Sequence, residues 1–510
     1  MWYSKSVPDL TGRKENEMKK KLFIRLCAAV LAVLTLLPCI VSCSEDAKPT
    51  ATEGTKQPSR QIDDSIPEGL TFDGNTVNFI YHVDDNTPPL SVKSLTNDAL
   101  NDQIYMREQR VEERLLVDLK FIESDSSQDT LATSILSKLD EYQLAEGSIV
   151  DASNGYYYNL LDKDYIPYLN ITDAPYWSSL YTDNQTMYGQ CYLASGDLAI
   201  DFIRGMYCVF FNKTLVEQAG LGNMYDVVNS GKWTHEYLLN AVKGTYVDVT
   251  GDGKTEDDVY GLLFDDARLI DSFWSAFDLT CISRDSDNNP YLDINVDKMN
   301  SVCDAIRALE RDYRDIYCWE TMKYQTAGVF CEDLSIEKFA NDEAMFMLTN
   351  LYMTDREVIR NMKSEYGIIP LMKWDESQPD YYSFNNVFPS YAIPSTNVKP
   401  DVASAVLEAL ASDSYRYVSP VYYNKILKGR YLQDLESSAM IDLMVKNVKL
   451  DFGWIYDWAI AKIAQESLRY FIRENDSSFS SYWRGNKKRY QKAFDTLIAK
   501  YANMAAEGGY

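Results

Sequence analysis

Short apolar runs alternate with helical patterns in residues 76–152. The order is a strand at 76–82, a helix at 97–116, a strand at 117–122, a helix at about 130–141 and a strand at 148–152. This β-α-β-α-β order predicts an α/β fold whose parallel sheet is connected by crossover helices. Ligands of such sheets bind beyond the carboxyl ends of the strands. The loops at 83–86, 123–127 and 153–158 are therefore the candidate binding loops.

The remaining pattern extends this fold and ends in helices. Residues 205–211 predict a strand, and a helix at 213–219 stops at Gly220, a residue suited to a left-handed cap. Thr234 is expected to cap a helix that runs to about 242. From about Asp401 the chain is mostly helical, and 490–501 carries an apolar stripe typical of a buried helix face.

Length and charge limit the possible functions. A chain of 510 residues is long enough for two or more domains. Its net charge of −26 argues against a nucleic-acid partner, because phosphate binding needs clustered Lys and Arg. With 2 His in the chain, a His-based triad or a His-rich metal site is not expected. The 13% aromatic content favours a surface that stacks on flat ligands.

The N-terminus has the layout of an export signal. Lys19, Lys20, Lys21 and Arg25 form a basic segment, residues 26–37 are uncharged and apolar, and Ile40–Cys43 resembles a bacterial lipobox in which Cys43 is lipidated. We expect residues 1–42 to be a signal peptide, with Met18 as the true start, and 43–67 to be a flexible, lipid-anchored tether. A transmembrane anchor is the alternative, but the apolar stretch is shorter than a typical span.

The cysteines after the signal leave two interpretations open. None forms the paired C-x-x-C spacing of a zinc site. Their even number in an exported protein permits disulfides, and buried free thiols are the alternative. The six are Cys191, Cys208, Cys281, Cys303, Cys318 and Cys331.

An acidic loop at residues 248–258 is a candidate calcium site. Oxygen-bearing side chains alternate along it, and a Gly stands at the sixth position, as in an EF-hand loop. The twelfth position is Val259 rather than Glu, and a solvated turn is the alternative. The predicted ligand positions are Asp248, Thr250, Asp252, Lys254 and Asp258.

Known catalytic signatures are missing from the sequence. It contains no G-x-S-x-G elbow, no H-E-x-x-H and no P-loop. A glycosidase carboxylate pair remains open, because only a structure shows the separation of two acids. Among the tryptophans, Trp233 and Trp458 adjoin helical patterns and are assigned to the core, whereas Trp274 lies in a loop-like stretch.

Several segments in order resemble the family 1 extracellular solute-binding proteins of ABC importers, which include sugar-binding lipoproteins. They are the lipobox, Phe211–Gly220, Gly231–Thr234, the 248–258 loop with Tyr260–Leu262, Phe339–Phe346, Tyr366–Pro370, and Asp375–Gln378 with Tyr381 and Tyr382. The resemblance implies a two-lobed, periplasmic-binding-protein-like α/β fold with discontinuous lobes, a hinge and a helical C-terminal region. It divides the chain into a first lobe at 68–198 and 340–398 and a second lobe at 199–339 and 399–510.

The resemblance also implies the ligand contacts. They are Asp84, Asp85, Asn154, Tyr156, Trp274, Asn350 and Tyr352, with Tyr391 from a later strand. Leu351 differs from the maltose-binding pattern, in which a stacking Trp is expected at that position.

The resulting hypothesis is a non-enzymatic receptor. It would hold a carbohydrate, expected to be an oligosaccharide, between its lobes and deliver it to an ABC permease, anchored by lipid to the outer face of a bacterial membrane. It needs no cofactor beyond the possible structural Ca²⁺. The alternatives are a surface glycan-degrading enzyme and a receptor of the same fold for a peptide or another non-sugar solute.

Overall fold

Two β-sheets packed against helices form the body of the protein in the computed structural model. The structure describes residues 60–83, 89–264, 267–286, 288–318, 331–385, 388–427, 435–474 and 477–507. The predicted signal peptide, Cys43 and the predicted tether up to residue 59 lie outside these ranges. Among the described helices, none combines the length and apolarity that crossing a bilayer requires.

The strands in chain order are β1 (Asn75–His82), β2 (Val117–Ser124), β3 (Leu144–Glu146), β4 (Tyr207–Asn212), β5 (Tyr260–Phe264), β6 (Ile282–Arg284), β7 (Pro290–Leu292), β8 (Ile316–Cys318), β9 (Ala344–Asn350), β10 (Tyr366–Pro370) and β11 (Tyr391–Ala392). The α-helices are α1 (Ala99–Leu115), α2 (Ser127–Leu136), α3 (Ile149–Ala152), α4 (Ser179–Gln185), α5 (Asp201–Arg204), α6 (Lys213–Gln218), α7 (Met224–Asn229), α8 (His235–Val242), α9 (Ala267–Ala276), α10 (Val296–Arg311), α11 (Cys331–Ala340), α12 (Glu357–Arg360), α13 (Pro400–Asp413), α14 (Ser419–Leu427), α15 (Leu435–Lys446), α16 (Phe452–Ile455), α17 (Ile463–Gln465), α18 (Phe471–Glu474) and α19 (Phe479–Ala506). Leu351–Asp355 is a 3₁₀-helix, and Ser414–Val418 and Glu466–Tyr470 are π-helical.

The first sheet has the predicted parallel arrangement at its centre. Its order is β11-β3-β1-β2, with β1 parallel to both β2 and β3 and β11 antiparallel to β3. The strands predicted at 76–82 and 117–122 and the helix predicted at 97–116 are confirmed, while α2 ends earlier than expected.

The third predicted strand is misplaced in the sequence analysis. The strand is β3, and residues 149–152 form the helical turn α3 instead. Ser148 caps this turn, because its side chain accepts a hydrogen bond from the backbone N–H of Asp151. A local cap of this kind offers the backbone an alternative to strand pairing, despite the β-branched residues that follow Ser148.

The second sheet, in the order β10-β4-β9-β5-β8, shows how the chain divides between lobes. β9 and β10 lie within 340–398, which the resemblance assigns to the first lobe, yet both belong to this second sheet. α13, assigned to the second lobe, packs in the core of the first sheet, where Val402 and Val406 join Val77 and Phe79. The lobe boundaries indicated by strand pairing and burial therefore differ from the expected ones. A linear pattern reveals neither strand pairing nor burial.

Residues 60–67 are bound to the folded body rather than forming part of a free tether. Asp64 accepts hydrogen bonds from both terminal nitrogens of Arg114 on α1, at 2.6 and 2.8 Å, and from Arg416 at 3.0 Å. Ile66 is buried. Although burial opposes the shift, these hydrogen bonds with Arg114, Ser412 and Arg416 lower the pKa of Asp64 to about 2. If a tether exists, it ends before Arg60.

The C-terminal region is helical, as predicted. On α19 the stripe packs inward, with Tyr490, Phe494, Leu497 and Tyr501 buried. This confirms that the apolar stripe is a core face.

The described cysteine side chains are buried. Those of Cys191, Cys208, Cys281 and Cys303 are free thiols, and Cys318 is buried at the end of β8. Burial raises the pKa of the Cys191 and Cys303 thiols to about 12, so these groups stay protonated at neutral pH. The side chain of Cys331 lies outside the described residues, and the disulfide interpretation stays untested there.

Among the described residues, three stretches of chain connect the two sheets. They are 198–206 before β4, 371–390 between β10 and β11, and the π-helical turn 414–418 between α13 and α14. Segments that cross between two lobes are where a hinge motion is absorbed.

Candidate functional site

A cavity of about 180 Å³ lies at the carboxyl ends of β1, β2 and β3. His82 and Val83 reach it from the end of β1, Glu123 from β2 and Glu146 from β3. This is the sheet edge at which the strand–helix alternation predicts ligand binding. Two of the three candidate loops, 83–86 and 123–127, begin at the cavity. The third candidate loop, 153–158, does not line the cavity, and the end of β3 lines it instead.

All three connecting stretches also border this cavity. Leu198–Asp201 come from the first stretch, Pro389 from the second and Val418 from the third. A molecule in the cavity would therefore touch the first sheet and all three connecting stretches.

Three carboxylates from separate elements line the cavity. Glu123 Oε1 accepts a hydrogen bond from the Tyr81 hydroxyl at 3.0 Å. Glu146 Oε2 accepts one from the backbone N–H of His82 at 2.9 Å. Asp201 Oδ1 lies 3.4 Å from a terminal nitrogen of Arg204, one turn along α5. Carboxylate oxygens with remaining lone pairs can accept hydrogen bonds from a ligand.

Burial disfavours the charged form of two of these acids. It raises the pKa of Glu146. It also raises the pKa of Asp201 to about 6; Arg204 opposes this shift, while the charges of Glu146 and Asp355 add to it. Carboxyls perturbed in this way inside a cavity are typical of functional sites.

The raised pKa of Asp201 predicts a pH-dependent contribution to stability. The group favours folding when protonated, so its contribution is present below its ordinary pKa of 3.8 and is lost as the pH rises through about 6. We expect the unfolding free energy of Asp201→Asn, relative to wild type, to rise by up to about 3 kcal/mol between pH 4 and pH 7.5. Urea denaturation of both proteins across this range measures the difference. If the difference in unfolding free energy between the two proteins did not change with pH, the burial of Asp201 would be contradicted.

A buried cation, Arg107, forms another part of the wall. It is 1% exposed, and its terminal nitrogens donate to the carbonyl of Leu198 at 2.9 Å, the hydroxyl of Ser414 at 3.0 Å and the carbonyl of Leu90 at 2.5 Å. Its Nε is buried without a partner among the described residues. Arg107 therefore connects α1 to the first and third connecting stretches and leaves one donor unused.

A second polar group lies next to the cavity through Arg204. Arg204 Nε donates to Asp355 Oδ2 at 2.9 Å, and its guanidinium lies 5.3 Å from the centre of the Tyr352 ring. Asn350 precedes this ring at the end of β9 and has a buried Oδ1 without a partner in the described part of the chain.

The structure gathers only some of the residues named from the resemblance. Tyr391 lines the cavity and is buried. Tyr352 and Asn350 belong to the adjoining polar group. Asp84 and Asp85 lie outside the described residues, directly after the cavity residue Val83.

Three other named residues lie away from the cavity lining. Asn154 is exposed and its Oδ1 accepts a hydrogen bond from Lys500 of α19 at 2.9 Å. Tyr156 is half-buried against the larger core. Trp274 is fully buried on α9, where its Nε1 donates to Asp451 at 2.8 Å, so its ring is not available for stacking on a ligand.

The cavity residues that the sequence analysis missed are Glu146, Asp201 and Arg107. Glu146 could have been found by ending the third strand at residue 146, because the ends of parallel strands carry the site. Asp201 and Arg107 give no such signal, since a charged residue in a helical pattern is usually at the surface.

The 248–258 loop is closed by its own hydrogen bonds. Asp248 accepts from the backbone N–H groups of Gly251 and Gly253 at 2.6 and 3.2 Å. Asp258 accepts from Val249 and Thr255, and Lys254 donates to carbonyls at residues 313 and 316. The side chains of Thr250 and Asp252 hydrogen-bond to each other.

These oxygens do not form a recognisable metal shell. Within the described ranges, no group of three or more His, Cys, Asp or Glu side chains is arranged to hold a metal ion. Ca²⁺ binding at this loop therefore remains a prediction, and no step below depends on it.

Comparison with known proteins identifies the fold. No family model matches the sequence, and no curated protein sequence matches it. Many solved structures match over most of their own length, and two of them illustrate the similarity. One is the sugar-binding protein MalE from Xanthomonas citri, with 13% identity and a TM-score of 0.53 over 85% of this chain and 99% of that one. The other is an ABC transporter solute-binding protein from Thermotoga lettingae bound with α-D-tagatose, with 12% identity and a TM-score of 0.51 over 83% and 100%. The chain thus has the two-lobed α/β fold of the solute-binding proteins.

Proposed function

We propose that the protein captures a carbohydrate at the cavity where the first sheet meets the connecting stretches, closes its lobes on it and passes it to an ABC permease. The observation that carries this proposal is the position of the cavity, at the carboxyl ends of the parallel strands and against all three connecting stretches. A ligand there stabilises whichever lobe arrangement gives it contacts on both sides, which is how binding favours closure. The two similar structures support the choice of solute, since one is called sugar-binding and the other holds tagatose.

The cavity chemistry suits one sugar ring. Glu123, Glu146 and Asp201 can accept hydrogen bonds from hydroxyls, and Tyr81 and Tyr391 line the same cavity. Its volume of about 180 Å³ is below the roughly 300–1,000 Å³ of sites that enclose drug-sized ligands. A longer saccharide would place a single ring here and extend outward.

A thermal-shift screen of the chain from Ser44 onward against mono- and oligosaccharides, amino acids and peptides tests the proposal. A sugar at a hundred times its Kd should stabilise the protein by about 2.7 kcal/mol.

Asp201→Asn should weaken binding of that sugar about tenfold, through loss of a charged acceptor. Asp118→Asn is the control, because Asp118 is an exposed acid on β2 that pairs with Lys120 away from the cavity. Shifts with peptides alone would reject the carbohydrate assignment.

We also propose that Cys43 is lipidated and holds the protein at the outer face of a bacterial membrane. The lipobox-like Ile40–Cys43 supports this. Metabolic labelling with a fatty acid should mark the wild-type protein and not Cys43→Ser. Labelling of both proteins would remove the anchor from this cysteine.

A glycan-degrading enzyme is the second candidate, favoured by one observation. Two carboxyls with raised pKa, Glu146 and Asp201, line the same cavity, as an acid pair in a glycosidase would. Analysis of the ligand after incubation separates the two functions. Unchanged sugar supports the receptor, and hydrolysed sugar supports the enzyme.

A further inference from the structure

The charges of the cavity wall do not balance. Three described lining residues, Glu123, Glu146 and Asp201, carry carboxylates, whereas Arg107 is the one Lys or Arg among the described lining residues. Carboxylates removed from water need a nearby cation or strong donors to remain charged.

Arg107 does not supply that balance. Its terminal nitrogens donate to two carbonyls and a hydroxyl, and its nearest acid is Glu108, at 3.7 Å, which does not line the cavity. Its Nε, in a side chain that is 1% exposed, has no acceptor among the described residues. The wall therefore needs a cation near the acids and an acceptor oxygen near Arg107.

The other neighbours leave Glu146 and Asp201 undercompensated as well. Asp201 shares Arg204 with Asp355, and Glu146 takes its hydrogen bond from an uncharged backbone N–H. Among the described residues, His82, Tyr391 and Tyr422 also interact electrostatically with one or both of these acids.

We propose that the ligand group in this cavity is a protonated amine on a sugar ring, so that the solute is an amino sugar or ends in one. The ammonium pairs with Glu146 and Asp201, and a hydroxyl or ring oxygen of the same ring accepts from Arg107 Nε. A metal cation fits less well, because the described residues contain no metal-ligating group of three side chains. This inference rests on the proposed carbohydrate function and specifies its ligand.

Sugars that differ only in the substituent at one carbon test directly whether the cavity selects a positively charged amine. The probes are glucosamine, galactosamine and mannosamine, each beside its neutral parent and its N-acetylated form, with lysine and putrescine as amines without a sugar ring. We expect the amine of at least one trio to bind at least tenfold tighter than both partners by calorimetry at pH 7. Protonation of Asp201 should weaken this binding as the pH falls below about 6, while any binding of the neutral partner stays level.

Two variants test whether the cavity causes the preference for the amine. Glu146→Gln keeps the size of the side chain and should reduce the preference for the amine to less than threefold. Asp118→Asn changes the net charge equally at an exposed site on β2 and should leave the preference intact.

The possible outcomes distinguish failure of the amino-sugar proposal from failure of the carbohydrate-capture proposal. A neutral or N-acetylated sugar that binds as tightly as its amine overturns the inference and leaves carbohydrate capture standing. Binding of lysine or putrescine with no sugar bound overturns carbohydrate capture and keeps the cationic site. If the Glu146→Gln variant still prefers the amine, the amine binds elsewhere. If none of the probes binds, both proposals are overturned.

Discussion

Trp274→Ala is expected to lower the free energy of unfolding by about 3–5 kcal/mol, the usual cost of truncating a buried aromatic residue. Trp274 is 0% exposed, and its Nε1 hydrogen-bonds to Asp451 at 2.8 Å. The substitution also removes a donor from Asp451, whose other side-chain oxygen is already buried without a partner. The loss of packing and the loss of one hydrogen-bond donor to a buried acid act in the same direction. Urea denaturation at pH 7 measures the effect.

Trp458→Ala is the matched control for this prediction. Trp458 is 65% exposed, and the Lys462 ammonium lies 3.7 Å from its ring centre. An exposed cation–π contact contributes about 0.5–1 kcal/mol, so the control should lose no more than that. Equal losses in the two variants would contradict the burial of Trp274. A stable Trp274→Ala protein with weakened ligand binding would instead restore Trp274 as a ligand contact.

Arg107→Met is expected to destabilise the protein by about 3–5 kcal/mol, because it leaves buried acceptors and Glu108 without their cation. The acceptors are the carbonyls of Leu198 and Leu90 and the hydroxyl of Ser414. Burial raises the pKa of Glu108 to about 6, with Arg107 opposing the shift, so the lost cation should raise it further.

Arg110→Met on the same helix is the control for Arg107. Arg110 pairs with Asp413 at 2.5 Å, and its side chain is 33% exposed. A partly exposed pair of this kind contributes up to about 1 kcal/mol. Similar losses in both variants would show that Arg107 acts as an ordinary surface charge. Denaturation curves for the two variants, collected in one buffer, decide the point.

The sequence predicted the elements that line the site better than it predicted the site itself. β1, β2 and α1 fall where the apolar periods place them, and their order led to the sheet edge at which the cavity lies. Of the residues taken from the resemblance, Tyr391 lines the cavity, whereas Trp274 lies in the core. Glu146 was missed because the third strand was placed a few residues too late.

The two tryptophans show why residue roles were harder to predict than elements. Trp458 was assigned to the core from its helical surroundings and is exposed, while Trp274 was assigned to the ligand and is buried. Trp274 lies on α9, not in a loop, and Trp458 lies in the turns that follow α16. Their burial depends on which distant segment packs against them, and for Trp274 that segment is the turn that begins at Asp451.

The sequence alone determined the features that depend on near neighbours: the strand–helix alternation, the cap at Thr234 and the buried stripe of α19. Periodicity and capping act over a few residues, so the linear order contains them. The tertiary structure decided the membership of β9 in the second sheet and the meeting of Glu146, Asp201 and Arg107 in one cavity. Strand pairing, desolvation and charge balance arise between segments far apart in the chain, and only the folded protein brings those segments into contact.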